Sequence, residues 1–327
     1  MIWKQIPVPF YFNLKYYQIL LQHNIGVGKP LELLLLDEAA DSSQVVLEIF
    51  RAIPAKKKIM VGDKWQNIMS SFAYSVNGFE YFSKYGVEKN LTKSFRLSTT
   101  IANQLQSFVR LYLDPNYALV GNDKPYPKQP TTAYLSRTNA GLIQTMIKLQ
   151  EEGTQYKLTR SVKDVFSLIK VLIYLSPKNS KVYNEKYRYL EDDVFEYNTK
   201  PEISGKYKTL LSYVKYKHED NIEMQIAVST IYEKGRDLIL RTMKQAERIE
   251  KAKSKNCLTT IASAHSVKGK EFTEVHLSDD FKLEPALEIP DEDRTIEERE
   301  VLLLYFVAVS RATHVLYNAK YLPKGLK

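Results

Sequence analysis

Residues 31–41 read LELLLLDEAAD. Gly26, Gly28 and Pro30 break the chain before this run, and acid ends it. A short apolar run bounded in this way reads as a buried strand of a parallel sheet. Asp37 and Glu38 then fall at its carboxyl end. Ligands of open parallel sheets bind at the carboxyl ends of strands. The stretch therefore sets both the expected fold class and the place to look for a site.

The same grammar extends outward in both directions. Residues 11–24 read as a helix, as do 42–53. KKKIMVGD, 56–63, reads as a second strand ending in acid at Asp63. Residues 87–92 look strand-like, and 98–112 helical. LDPNYALVGNDKPYPKQP, 113–130, is a proline- and asparagine-rich connector. TTAYLSRTNA is strand then loop. Helices are expected over 140–152 and 162–176. Residues 177–256 carry more charge, scattered tyrosines and helical periodicity, as an inserted helical subdomain would. From Leu258 strands and helices alternate again: LTTIASAH and EVHLSDDF as strands, TIEEREVLLLYFVAVSRA as a helix, HVLYNA as a last strand. Strands alternating with helices imply an α/β fold with a parallel sheet.

At 327 residues the chain is long enough for two domains. Hydrophobic residues make up 44% and charged residues 26%, an ordinary globular balance. No apolar run reaches the length of a membrane span, roughly 18 residues or more. The opening residues MIWKQIPVPFYF lack the basic and apolar regions of a signal peptide. The single cysteine, Cys257, excludes an internal disulfide and fits a reducing compartment or a small buried hydrophobe. A formal charge of +9 suits a polyanionic partner. The 23 tyrosines and abundant lysines fit base stacking and phosphate contacts, and equally an AT-rich coding genome.

Several patterns could carry chemistry. After LELLLL, one carboxylate can hold Mg²⁺ through water and the next can orient an attacking water; an acidic pair is also a common helix cap. In VGDKWQNIMSSF, Asp63 precedes Gln66, a two-way hydrogen bonder, while Trp65, Phe72 and nearby Tyr74 can stack bases. In LTKSFRLSTTIA, Phe95 offers a flat face and Arg96 a planar cation. YLSRTNA puts Arg137 at a strand end. In ASAHSVKGKEF, His265, Ser266, Lys268 and Gly269 suit a phosphate-contacting turn, and Glu271 could accept from a ribose hydroxyl. In YFVAVSRATHVLY, Arg311 follows an apolar helix, which gives the rigidity an arginine finger needs. Each pattern alone also fits a plain structural role, a cap, a polar loop or a surface pair.

In this order the patterns resemble the UvrD/Rep-type superfamily 1 DNA helicases, and among them the eukaryotic F-box DNA helicase branch. The likeness covers about residues 10 to 320. DEAAD looks like motif II, VGDKWQNI motif III, LTKSFR motif IV, AHSVKGKEF motif V and LLYFVAVSRA motif VI. The GDxxQ and VAxSRA patterns are of superfamily 1 type and speak against a DEAD-box reading. The resemblance implies RecA-like parallel sheets with helices. Residues 1–95 would be part of a first RecA-like domain, 96–176 and 257–327 the second, and 177–256 a helical insertion. It further implies that Asp37 holds Mg²⁺, Glu38 is the general base, and Gln66 senses the γ-phosphate, with Asp63 and Arg137 also nucleotide-facing. Phe95 would pack on the adenine of ATP, Glu271 hold the ribose, and Arg96 and Arg311 contact the γ-phosphate. Trp65, His265, Ser266 and Lys268 would face single-stranded DNA, along which the family moves 3′ to 5′. An intracellular place is implied, the nucleus in a eukaryote and the cytoplasm otherwise.

Two departures stand out. Ala40 lies where the family usually has glutamine, which bears on fine coupling and not on the metal site. No GxxxxGK[ST] phosphate loop occurs; GVGKP at 26–30 has proline where Ser or Thr should hold Mg²⁺. Without the loop's amides and lysine, nothing cradles the β- and γ-phosphates. The expectation is a helicase carboxy-terminal portion, an ATPase only with an amino-terminal half supplied in cis or in trans. The rival expectations are a catalytically inactive binder of single-stranded DNA and a structural adaptor.

Overall fold

The structure, a computed structural model, describes residues 10–68, 77–252 and 256–323. These gather into two compact units, one of residues 10–68, 77–92 and 284–307, the other of 93–252, 256–283 and 308–323.

The first unit opens with α1 (Phe10–Gln22), followed by β1 (Leu31–Leu36), α2 (Gln44–Ala52), β2 (Ala55–Met60) and the single turn α3 (Gly78–Tyr81). β1 and β2 pair in parallel from Leu31↔Ala55 to Leu36↔Met60. Ser43 caps α2 by accepting from Val46 N. Lys58 reaches back from β2 to the carbonyls of Phe50 and Arg51 at 2.9 and 2.6 Å, which satisfies the end of α2. The helix Ile296–Val309 lies mostly in this unit, and Leu302–Val309 are buried all round. An apolar circumference, LLLYFVAV, requires that burial.

The second unit begins at α4 (Thr99–Tyr112), capped by Ser98. β3 (Thr132–Ser136), α5 (Asn139–Glu151) and β4 (Lys157–Leu158) follow. The helices α6 (Val162–Val165), α7 (Ser167–Tyr174), α8 (Leu190–Thr199), α9 (Pro201–Lys206), α10 (Leu210–Lys217), α11 (Ile222–Lys234) and α12 (Arg236–Ala252) precede β5 (Thr259–Ser263), β6 (Phe272–Leu277) and β7 (Ala312–Tyr317). The five strands form one parallel sheet in the order β4-β5-β3-β6-β7. Its inner strands bury Ala133, Leu135, Ile261, Ala262, Val275 and Leu277. Three rings stack across adjacent strands: Tyr134 on His276 at 4.4 Å, and His276 on Tyr317 at 4.2 Å. One hydrophobic core runs from α5 through the helices of 162–252 to Ile261 of β5, so the helical segment is built onto the sheet's own core. The architecture is α/β with parallel sheets flanked by helices, compatible with a RecA-like fold. Among the described residues, no helix is long and apolar enough to cross a membrane.

Three local expectations are corrected. LELLLL is a parallel strand but not a buried one: Leu31, Leu33 and Leu35 are 43%, 46% and 61% exposed. Leu34 and Leu36, which alternate to the opposite face, are half-buried, so only one face of β1 is covered by a packed layer. Residues 87–92 form no strand; only Lys93 makes a bridge, to Val120. The expected helix over 162–176 is broken at Phe166, where Ser167 Oγ donates to Asp164 O at 2.7 Å.

Candidate functional site

In the first unit the parallel pairing sets the carboxyl ends of β1 and β2 side by side. Ala39 N donates to Val61 O at 3.0 Å just beyond the paired strands. Asp37 and Glu38 leave β1, and Asp63 and Gln66 follow β2. Glu38 has left-handed backbone, φ 51°, unusual for a residue with a Cβ. Asp37 Oδ1 accepts Glu38 N at 2.9 Å. Asp63 accepts from Trp65 N at 3.0 Å and from Gln66 Nε2 at 2.8 Å, so the glutamine amide is steered by that carboxylate. The structure thus gathers Asp37, Glu38, Asp63 and Gln66 at one end of one sheet.

Among the described residues no group of three or more His, Cys, Asp or Glu could hold a metal ion. Mg²⁺ commonly takes only one or two carboxylates, the rest of its shell being water and substrate phosphate. Exposed Asp37 fits that role, as one ligand to an ion brought with a nucleotide.

Trp65 is 6% exposed, with Lys64 Nζ 4.7 Å from its ring. As placed, the indole is enclosed and has no open face for a base. Phe72 and Tyr74 lie outside the described residues.

In the second unit, Arg96 and Glu271 come together, and Phe95 precedes Arg96 in the chain. Phe95 is 67% exposed, with Lys93 Nζ 5.4 Å from its ring, so a flat face stands open to a planar ligand. Arg96 Nε donates to Glu271 Oε2 at 3.2 Å. Arg311 is fully buried, donating through Nη1 to Lys270 O at 3.3 Å and through Nη2 to Ser310 Oγ at 2.8 Å. Its guanidinium is held rigidly, as an arginine finger needs, yet enclosed.

The carboxyl ends of β3, β4 and β5 form a second gathering. Arg137 follows β3, Arg160 follows β4, and His265 and Ser266 lie in the 3₁₀ turn after β5. Thr159 Oγ1 and Ser266 Oγ hydrogen-bond at 2.8 Å, tying the ends of β4 and β5 together. Arg160 Nη1 donates to Asn139 Oδ1 at 2.9 Å, tying β4 to the start of α5. Burial first, then the guanidinium groups of Arg137 and Arg160, hold the His265 imidazole below its ordinary value. Lys268 is half-buried at the end of the same turn, and Gly269 takes φ 79° to complete it.

Sequence reasoning missed three residues here. Arg160 follows a strand of only two residues, too short to signal itself. Asp280 was inside a stretch read as strand, and Glu223 inside an ordinary helix. Asp280 accepts from Arg137 N and Thr138 N at 3.0 and 2.7 Å. Glu223 accepts from Asn139 N and Ala140 N at 2.7 and 3.0 Å. Neither partnership leaves a local sequence signal.

No protein-family model matches this chain, and no curated protein shows significant similarity to it.

Proposed function

We propose that this chain is the nucleic-acid-gripping portion of a UvrD/Rep-type superfamily 1 DNA motor, acting in repair or recombination and moving 3′ to 5′ on single-stranded DNA. The observation that carries the reading is the convergence of Arg137, Arg160 and His265 at the carboxyl ends of three adjacent parallel strands. Crevices there are where α/β sheets take ligands, and cations on a rigid turn suit a phosphodiester backbone. The net charge of +9 has the same sign. The exposed Phe95 beside Arg96 and Glu271 supports ATP as the nucleotide, and Asp37, Glu38, Asp63 and Gln66 support hydrolysis with Mg²⁺. No GxxxxGK[ST] occurs in these residues. Turnover is therefore expected only with an amino-terminal half that supplies the phosphate cradle.

Titrating the protein into fluorescein-labelled oligothymidine at several salt concentrations tests the reading. If the Arg137 and Arg160 guanidinium groups contact phosphates, log K falls against log salt with a slope of about −1.4. R137A and R160A are each expected to flatten it by about 0.7. Binding without salt dependence, or unchanged in both variants, overturns the site. A second reading, a catalytically inactive single-strand binder, is favoured by the enclosure of Arg311, which keeps its guanidinium from a nucleotide. It predicts that DNA affinity ignores ATP even when the amino-terminal half is added.

A further inference from the structure

Five consecutive backbone amides at the turn from β3 into α5 all donate to side chains. Arg137 N and Thr138 N go to Asp280 Oδ1 and Oδ2, and Thr138 Oγ1 adds a third bond to Asp280 at 2.8 Å. Asn139 N and Ala140 N go to Glu223 Oε2 and Oε1. Gly141 N goes to Thr138 Oγ1 at 2.9 Å. Position 141 must be glycine for this, since a Cβ there would overlap the Asp280 carboxylate.

A strand-to-helix turn with free amides is ordinarily an anion site. Here two of the protein's own carboxylates fill it. Backbone amides are therefore not available to a phosphate at this turn, and anion recognition falls to the side chains around it, Arg137, Arg160 and His265.

The two carboxylates come from different places. Asp280 follows β6, and Glu223 stands in the first turn of α11, 84 positions from Asn139 in the helical segment. Asn139 passes the constraint on: its amide is held by Glu223, and its Oδ1 accepts from Arg160 at 2.9 Å. A continuous line of hydrogen bonds runs from the helical segment through Asn139 to an exposed guanidinium at the strand ends.

We propose that Glu223 is a positioning residue through which the helical segment sets the presentation of Arg160 to a phosphodiester backbone. The proposal rests on the polyanion reading of the strand-end crevice. It gives the helical segment a role beyond packing: a shift of α11 changes the grip on the strand. Gln144 Nε2 donates to Thr230 Oγ1 at 2.8 Å and is a second side-chain link between α5 and α11, away from Asn139. It supplies the control.

The experiment measures oligothymidine affinity and its salt slope for wild type, E223A, E223Q, R160A, Q144A and the double variant E223A/R160A, alongside urea unfolding of each. E223A also uncovers the Asn139 and Ala140 amides, so the deciding readout is the slope: it is expected to flatten as much as R160A flattens it, by about 0.7. The double variant should flatten the slope no further than R160A alone, because both act on one contact. E223Q keeps one acceptor oxygen and should fall between. Q144A should leave the slope unchanged. If R160A flattens the slope and folded E223A or E223Q does not, the positioning role is overturned while the polyanion reading stands. If Q144A matches E223A, Glu223 acts only through packing and the proposal fails. Should E223A not fold, E223Q carries the same comparison. A wild type that binds without salt dependence overturns the polyanion reading, and this proposal with it.

Discussion

The Arg96 guanidinium lies 3.2 Å from the Glu271 carboxylate, joining residues 175 positions apart in the chain. The resemblance assigns them different parts of one nucleotide, the γ-phosphate and the ribose. In this structure each holds the other. A nucleotide engaging both would exchange this contact for two of its own, so the pair keeps both side chains oriented without locking them.

With side chains 35% and 60% exposed, the pair is expected to add little to stability, about 0.2–1 kcal/mol. A double-mutant cycle of R96A and E271A followed by urea unfolding measures it. Coupling much above that range would mean that the contact is structural, and the nucleotide role of both residues would lose its support.

The His265 imidazole is held below its ordinary value by burial, then by Arg137 and Arg160. A phosphodiester bound there would offset the guanidinium charges and favour the protonated ring. Binding would then take up a proton, so affinity rises as pH falls from about 7.5 to 5.5. Oligothymidine titrations across that window should show the rise for wild type and a flatter response for H265Q. Equal profiles would remove His265 from the phosphate path.

A second cluster, in the helical segment, predicts acid sensitivity. The Lys217 ammonium and then the Tyr213 hydroxyl hold Glu196 down to about 2, and Lys217 also reaches Asp193 at 2.8 Å. His218 Nε2 lies 2.7 Å from the other Asp193 oxygen, closing a link between α8 and the end of α10. A carboxylate with a depressed value contributes stability above its ordinary range, which is lost as pH falls through the folded value. The window runs from about 4.5 down to about 2. Thermal unfolding followed by circular dichroism should show a steeper loss for wild type than for E196Q over that range. Parallel curves would show that the ion pair contributes nothing in solution.

Much of the α/β layout was legible from pattern alone. Apolar runs ending in acid or polar turns mark β1, β2, β3 and β5 close to their observed bounds. Strand type follows from periodicity and side-chain shape, both local. The gathering of Asp37, Glu38, Asp63 and Gln66 was legible for the same reason, since adjacent parallel strands bring their carboxyl ends together.

Burial and partnership were not legible. LELLLL carries the signature of an interior strand, but its exposure depends on what lies beside it. Trp65 reads as an open stacking platform and is enclosed. Arg160, Asp280 and Glu223 show nothing in their own neighbourhoods. They matter because the strand order β4-β5-β3-β6-β7 and the docking of α11 bring them to one turn.

The sequence by itself determined the kinds of element, their order and the strand ends at which chemistry could occur, because propensity and periodicity act over a few residues. Tertiary structure alone decided that four amides at the β3–α5 turn are answered by Asp280 and Glu223, and that Arg96 meets Glu271. A hydrogen bond to a carboxylate needs its partner within about 3 Å, and residues 83 to 175 positions apart reach that distance only once the sheet and its helices have packed.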